Sequence, residues 1–324
     1  MDLEEAEADD GPTQRWPLRV VVRISYTQMV QNCDPTPERS DDTSCALGAS
    51  CDAGVGRTCR CTYPTCNRFF ASLASSVMTV SDLDVRSPAL ALPPAFTGRL
   101  VHGGCDAFTE ARALAERDGA DATGTLVLAD RADVLDLAVV LAPDEPLASA
   151  RRAFLAGMTA LADAVGAHGP PEMPLTFGWP DVLVFDGARL GGGRLGWPAA
   201  CPEDATPDWL VFSASLLLSK IGAGDPGLTP GSTALDEEGF PAGIRNPLVE
   251  SFARNLIRTF SLWAEDGFDG IAARYLAHLP TPAGVAARVD QAGDVILGGS
   301  ERWPLTHLLR EPAWLDPETG TVRL

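Results

Sequence analysis

The stretch GWPDVLVFDGARLGGGRLGWP, residues 178–198, decides how the rest of the chain is read. Residues 182–185 form a short β-rich apolar run. The Asp186-Gly187 pair that follows is a two-residue hairpin signal, because a type I′ turn needs positive φ at both central positions. The chain is therefore expected to reverse at 186–187 and return through ARLGGGRLG. Three consecutive glycines, Gly191, Gly192 and Gly193, weaken a returning strand. Their usual reasons are a β-bulge, tight packing against a helix, or the close approach of a ligand to the main chain. The return strand is the first hint of a site.

Orderly patterns extend from this hairpin in both directions. Towards the N-terminus, DAFTEARALAERDG opens at a capping Asp106, keeps Phe108, Ala111, Leu114 and Ala115 on one face and meets Gly119, which predicts a helix. TLVLAD and DLAVVLAP, separated by a short polar turn, predict a hairpin or two neighbouring strands. DEPLASARRAFLAGMTALADAV, with Asp144 as cap and Pro146 in the first turn, predicts a second amphipathic helix. Towards the C-terminus, DWLVFSASLLLS predicts a strand. The stretch 248–280 predicts two consecutive helices broken at Asp266-Gly267, and the tail from Pro280 predicts a small β-rich unit or a segment lying on the main one.

Residues 1–77 follow no such order. They hold six of the eight cysteines, Cys33, Cys45, Cys51, Cys59, Cys61 and Cys66, at spacings without the paired C-x2-C knuckles of a zinc site. This stretch reads as a disordered or non-native Cys-rich extension, with Met78 as a plausible true start. Residues 78–280 then form the main domain and 281–324 a small C-terminal one. The formal charge of -19 disfavours nucleic acid and anionic membranes as partners, and no run reaches the roughly 20 apolar residues that span a bilayer. The acidic start lacks the basic and apolar regions of a signal peptide, so a cytoplasmic location is expected. Among the 25 basic residues Lys220 is the only lysine, so arginine can fill roles that lysine fills elsewhere.

The order of helix, two strands, helix, strands around Trp-Pro-Asp with a glycine-rich return, and a closing helical pair resembles the catalytic domain of biotin and lipoate protein ligases. The resemblance rests on WPDVLVFDGARLGGGRL, PDWLVFSASLLL and SLWAEDGFDGIAARYLAHL, and covers roughly residues 95 to 280. It implies an α+β fold of the class II synthetase or biotin-ligase type, with a mixed, mainly antiparallel sheet flanked by helices. It also implies a two-step reaction. A carboxylic acid (biotin, lipoate or octanoate) is adenylated with ATP and Mg, then passed to a lysine of a biotinyl- or lipoyl-carrier domain.

By the same resemblance the site comprises Arg189 and Asp181 as catalytic groups, with Trp179, Gly191, Gly192, Gly193 and Ser213 as ligand-binding residues. Arg189 stands where the family has a lysine, and a guanidinium is not interchangeable with a compact ammonium. The family's Gly-Arg-rich loop is reduced here to a short turn with Arg131 its only basic residue. Two other readings follow: a catalytically inactive ligase-like binding protein, and an ATP-independent octanoyl transferase using a cysteine, with Cys201 or Cys105 available. His102, His168, His278 and His307 are dispersed without metal-ligand spacing, so no metal site is expected. Arg151 and Arg152 could form a basic patch for an acidic carrier or an ordinary solvated face. GAGDPG at 222–227 lacks the ending of a phosphate loop.

Overall fold

A computed structural model of the chain describes residues 90–102, 104–220, 229–309, 312–316 and 322–324, with only the backbone at residues 307 and 308. The expectations for residues 1–77, for Met78 and for the stretch 222–227 lie outside the described residues, as does the side chain of His307.

Seven strands form one mixed sheet: β1 (Thr97–Val101), β2 (Thr125–Ala129), β3 (Val134–Leu141), β4 (Leu175–Gly178), β5 (Val182–Phe185), β6 (Ala188–Gly196) and β7 (Leu210–Leu217), in the order β1-β2-β3-β7-β6-β5-β4. β1 and β2 are parallel and joined through helix α1 (Ala107–Asp118); the other neighbours are antiparallel. The Asp186-Gly187 hairpin forms, with φ of 46° and 80° at its two positions. The expected cap of α1 also forms, Asp106 accepting the Thr109 N–H at 3.0 Å. β1 was not expected. It is an edge strand with residues 97–100 exposed, so it carries no buried alternation for a reader to find.

The two faces of the sheet are covered differently. One face packs on α3 (Ala153–His168), α4 (Arg245–Asp266) and α5 (Asp269–His278) through Leu126, Leu135, Leu137, Phe212, Leu216 and their neighbours. α3 lies between the sheet and the other two helices, and so is buried almost all round, as its Ala-rich sequence allows. The other face packs on α1 through Val127, Ala138, Val140 and Val211.

The helix expected from Asp144 onward divides into α2 (Leu147–Ala150) and α3. The division falls at Arg151, which is turned inward: only 4% of its side chain is exposed, it pairs with Glu203 at 2.5 Å, and it stacks on Trp197. Arg152 pairs with Glu145 and lies over Trp263 and Phe268. Neither is a solvated face, and neither is free to receive an acidic partner.

The tail does both things expected of it. β8 (Ala287–Val289), β9 (Val295–Leu297) and β10 (Glu301–Trp303) form a separate three-stranded antiparallel sheet, followed by α6 (Leu305–Leu309). Residues 312–316 and 322–324 then return to the main sheet, on the α1 side of β6.

Candidate functional site

Strand register gathers the polar side chains of the sheet on the α1 side. Asp136, Ser215 and Gly192 form one row across β3, β7 and β6, and Ala138, Ser213 and Arg194 form the next. Ser215 donates to Asp136 Oδ1 at 3.0 Å, and the backbone N–H of Ala107 donates to Oδ2 at 3.0 Å, which satisfies one of the orphan donors in the first turn of α1. Burial raises the Asp136 pKa against the pull of these two bonds. Burial acts the same way on Asp106, but hydrogen bonds from Thr109 and the charge of Arg194 outweigh it, and the carboxyl lies below its ordinary value. Ser213 is wholly buried, and its Oγ has no partner. An unpaired buried hydroxyl costs about 1–3 kcal/mol, so a donor or acceptor brought by a ligand would be favoured there.

Next to these rows lies a cleft of about 550 Å³ lined by Phe108 and Arg112 of α1, Arg194 and Gly196 of β6, Trp197, and Pro312 and Leu315 of the tail. The Phe108 ring carries two guanidinium groups, Arg194 at 4.3 Å and Arg112 at 5.8 Å, in cation–π contact. Each arginine has a buried Nε–H without a partner. Both guanidinium groups are otherwise paired through Nη2, Arg194 with Asp106 and Arg112 with Glu116, each at 3.0 Å, so the two Nε–H groups are the donors left over.

The three glycines have three different reasons. A Cβ at Gly191 would strike the backbone of Ser215, where the β5–β6 register shifts. One at Gly193 would lie 2.6 Å from Met158 Sδ and 3.2 Å from Phe154, on the helical side. Only Gly192 faces the α1 side, and there a Cβ would collide with the Asp181 carbonyl and the indole of Trp314.

Trp314 is completely buried on that glycine, and its Nε1–H donates to the Gly193 carbonyl at 3.2 Å. The other expected residues meet the same segment. Asp181 Oδ2 accepts the N–H of Ala313 at 3.3 Å, and Arg189 donates through Nε and Nη2 to the Arg323 carbonyl at 3.2 and 2.9 Å. Burial pushes the Asp181 carboxyl up to about 7, with the Ala313 N–H pulling the other way. It likewise lowers the Arg189 pKa, helped by the charge of Arg323.

Asp181, Arg189, Gly192 and Gly193 are thus brought together, under the tail. Ser213 sits one row along, beside Arg194. Trp179 is not brought to them: it packs against Tyr275 and Trp303, at 5.9 and 6.4 Å between ring centroids, with the helical-side core. Cys201 lies in the loop after β6, its Sγ against the Pro202 and Ala205 carbonyls. Burial and then Asp208 raise its pKa, the reverse of what an activated thiolate needs. Cys105 is exposed. Sequence reasoning missed Arg194, Arg112 and Trp314. Period-two spacing from Gly192 puts Arg194 on the same side of β6, and that signal was available.

A mixed seven-stranded sheet, helices on one face, and a buried polar row under α1 on the other define an α+β protein of the biotin-ligase-like class. The chain belongs to the biotin/lipoate A/B protein ligase family, whose model matches residues 92–277. It is 31% identical to a biotin protein ligase-like protein of unknown function from Silicibacter sp. TM1040, over 68% of this chain and 99% of that one, with a TM-score of 0.59. The biotin protein ligase of Aquifex aeolicus is 14% identical over 62% of this chain and 92% of its own, with a TM-score of 0.49. A search among curated proteins finds no match.

Proposed function

We propose that the protein binds a small carboxylic acid of the biotin, lipoate or octanoate type on the α1 face of its sheet, adenylates it with ATP, and passes the acyl group to a lysine of a carrier domain in the cytoplasm. Residues 78–280 would form the ligase body and 281–324 its appendage. The observation that carries this reading is the cleft at Phe108: two guanidinium groups with unpaired Nε–H donors beside a buried unpaired hydroxyl. A carboxylate or phosphate satisfies such donors with charge-assisted bonds.

In the first step a carboxylate oxygen attacks the α-phosphorus of ATP and pyrophosphate leaves. In the second the carrier amine attacks the acyl carbon and AMP leaves. Arg194 and Arg112 would hold the anion, Arg189 would pair with the phosphate, and Asp181 would take a proton from the incoming lysine ammonium, freeing the amine that attacks. Magnesium would arrive on the nucleotide, since among the described residues no three His, Cys, Asp or Glu are grouped to hold a metal.

A second reading, binding without adenylation, is favoured by one feature. The β2–β3 connection is only residues 130–133, and Arg131 within it is tied to Asp133 at 2.8 Å, so nothing there folds over an adenylate. Incubating the full chain with ATP and each acid in turn, while following pyrophosphate release and binding by calorimetry, separates the two. Pyrophosphate with one acid is the expected result. Binding without pyrophosphate sinks adenylation and leaves the second reading; no binding of any acid sinks both.

A further inference from the structure

We propose that the C-terminal segment is a displaceable internal occupant of the shelf formed by Asp181, Arg189, Gly192 and Gly193, and that a ligand reaches those residues only when the segment lifts. The inference rests on the functional reading above and adds a competitor to it. Three of the four shelf residues meet the tail through an atom that a ligand would otherwise use. The Gly193 carbonyl takes the indole N–H, the Asp181 carboxylate takes the Ala313 N–H, and the Arg189 guanidinium is spent on the Arg323 carbonyl. The Arg189 and Asp181 contacts go to backbone groups, which demand nothing of the tail's side chains at those points.

The two described stretches, 312–316 and 322–324, are tied to each other. Arg323 N–H donates to the Trp314 carbonyl at 2.9 Å, Arg323 Nε donates to the Leu315 carbonyl at 2.9 Å, and Leu315 bridges Val322. Their grip on the sheet is one small apolar cluster, Trp314 and Val322 against Val134, Leu217 and Ala234, separate from the main core, together with the bonds to Gly193, Asp181 and Arg189. A local opening that forfeits this cluster and those bonds leaves the seven strands and their helices intact, which is the condition for a sub-global opening.

The indole also states what its replacement must offer: a flat face for Gly192 and an N–H for the Gly193 carbonyl. Among the three acids considered, the cyclic urea of biotin supplies both, whereas the chains of lipoate and octanoate would leave that carbonyl without its donor.

The test begins with native-state hydrogen exchange on the full chain. The Ala313 amide, bonded across to Asp181, should exchange at least tenfold faster than those of Leu137 and Phe212 in β3 and β7, through an opening insensitive to low denaturant. Exchange of all three only through global unfolding overturns the proposal, because the tail would then be a permanent part of the fold. Biotin titrated into the full chain carrying Trp314→Ala should bind at least tenfold more tightly than into the unsubstituted chain. Equal affinity overturns the competition. Local opening of the tail with no binding of biotin, lipoate or octanoate by either chain upholds the displaceable segment and sinks the ligase reading instead.

Discussion

The helical face and the α1 face belong to the same seven strands but are built on opposite rules. On the helical face Leu137, Phe212 and Leu216 join the apolar core formed with α3 and α4, and Phe154 and Phe252 close on Phe212 at 6.0 and 5.8 Å. On the α1 face the alternate positions of the same strands include, beside the apolar Val127, Ala138, Val140 and Val211, the polar Asp136, Ser213, Ser215 and Arg194, held by hydrogen bonds or left with an atom unpaired. One strand step thus separates the apolar core from the polar rows: β7 contributes Phe212 to one and Ser213 to the other.

The comparison breaks most readily at the helical face. Phe154→Ala removes a wholly buried ring and should cost about 3–5 kcal/mol, read as a lower denaturation midpoint with an unchanged slope. An effect below about 1 kcal/mol would mean that this face is not where the stability lies.

Two neighbouring glycines sharpen the contrast. Gly193→Ala drives a methyl into Met158 and should cost about 1–3 kcal/mol while tail amides keep their protection. Gly192→Ala meets Trp314 instead, and should also loosen the tail, seen as indole exposure to a fluorescence quencher. If both variants expose the indole equally, the two faces are not independent.

A smaller effect follows from Asp181, whose carboxyl burial pushes up to about 7 against an unfolded value near 4. The native state therefore binds the extra proton. This group's contribution to stability is fully present below pH ~4 and declines as the pH rises to about 7. Asp181→Asn should flatten that slope in denaturation midpoints measured across the window; an unaltered slope would assign the pH dependence elsewhere. Smallest of all, Arg112→Gln alters a side chain 41% exposed and should change stability by less than about 0.5 kcal/mol. The same change should weaken acid binding several-fold by calorimetry.

The sheet and its family were legible because the decisive signals are local. Asp186-Gly187 sets one turn, Asp106 and Gly119 bound one helix, and Gly267 breaks another. The glycine run pointed to β6, and one of its three members, Gly192, faces the α1 side under Trp314. That the tail could lie on the main domain was legible; that it covers Asp181, Arg189 and Gly192 was not, because WLDPETGTVRL is short and poor in apolar residues and docks chiefly through Trp314 and Val322. The family resemblance puts Trp179 on a ligand wall beside Asp181. The chain passes through Pro180 between them, with the Tyr275 hydroxyl donating to its carbonyl at 2.7 Å, and Trp179 packs with the helical side.

The single lysine has a consequence for labelling chemistry. Lys220 is 6% exposed and committed to Glu237 at 2.9 Å and to the Ser232 carbonyl. Amine-directed reagents, whether a succinimidyl dye, a cross-linker or an activated acyl group released in the same tube, find no accessible lysine side chain on the folded chain. The α-amino terminus aside, any acyl-lysine recovered from a mixture would belong to another protein, so the chain is its own blank in a search for the acceptor.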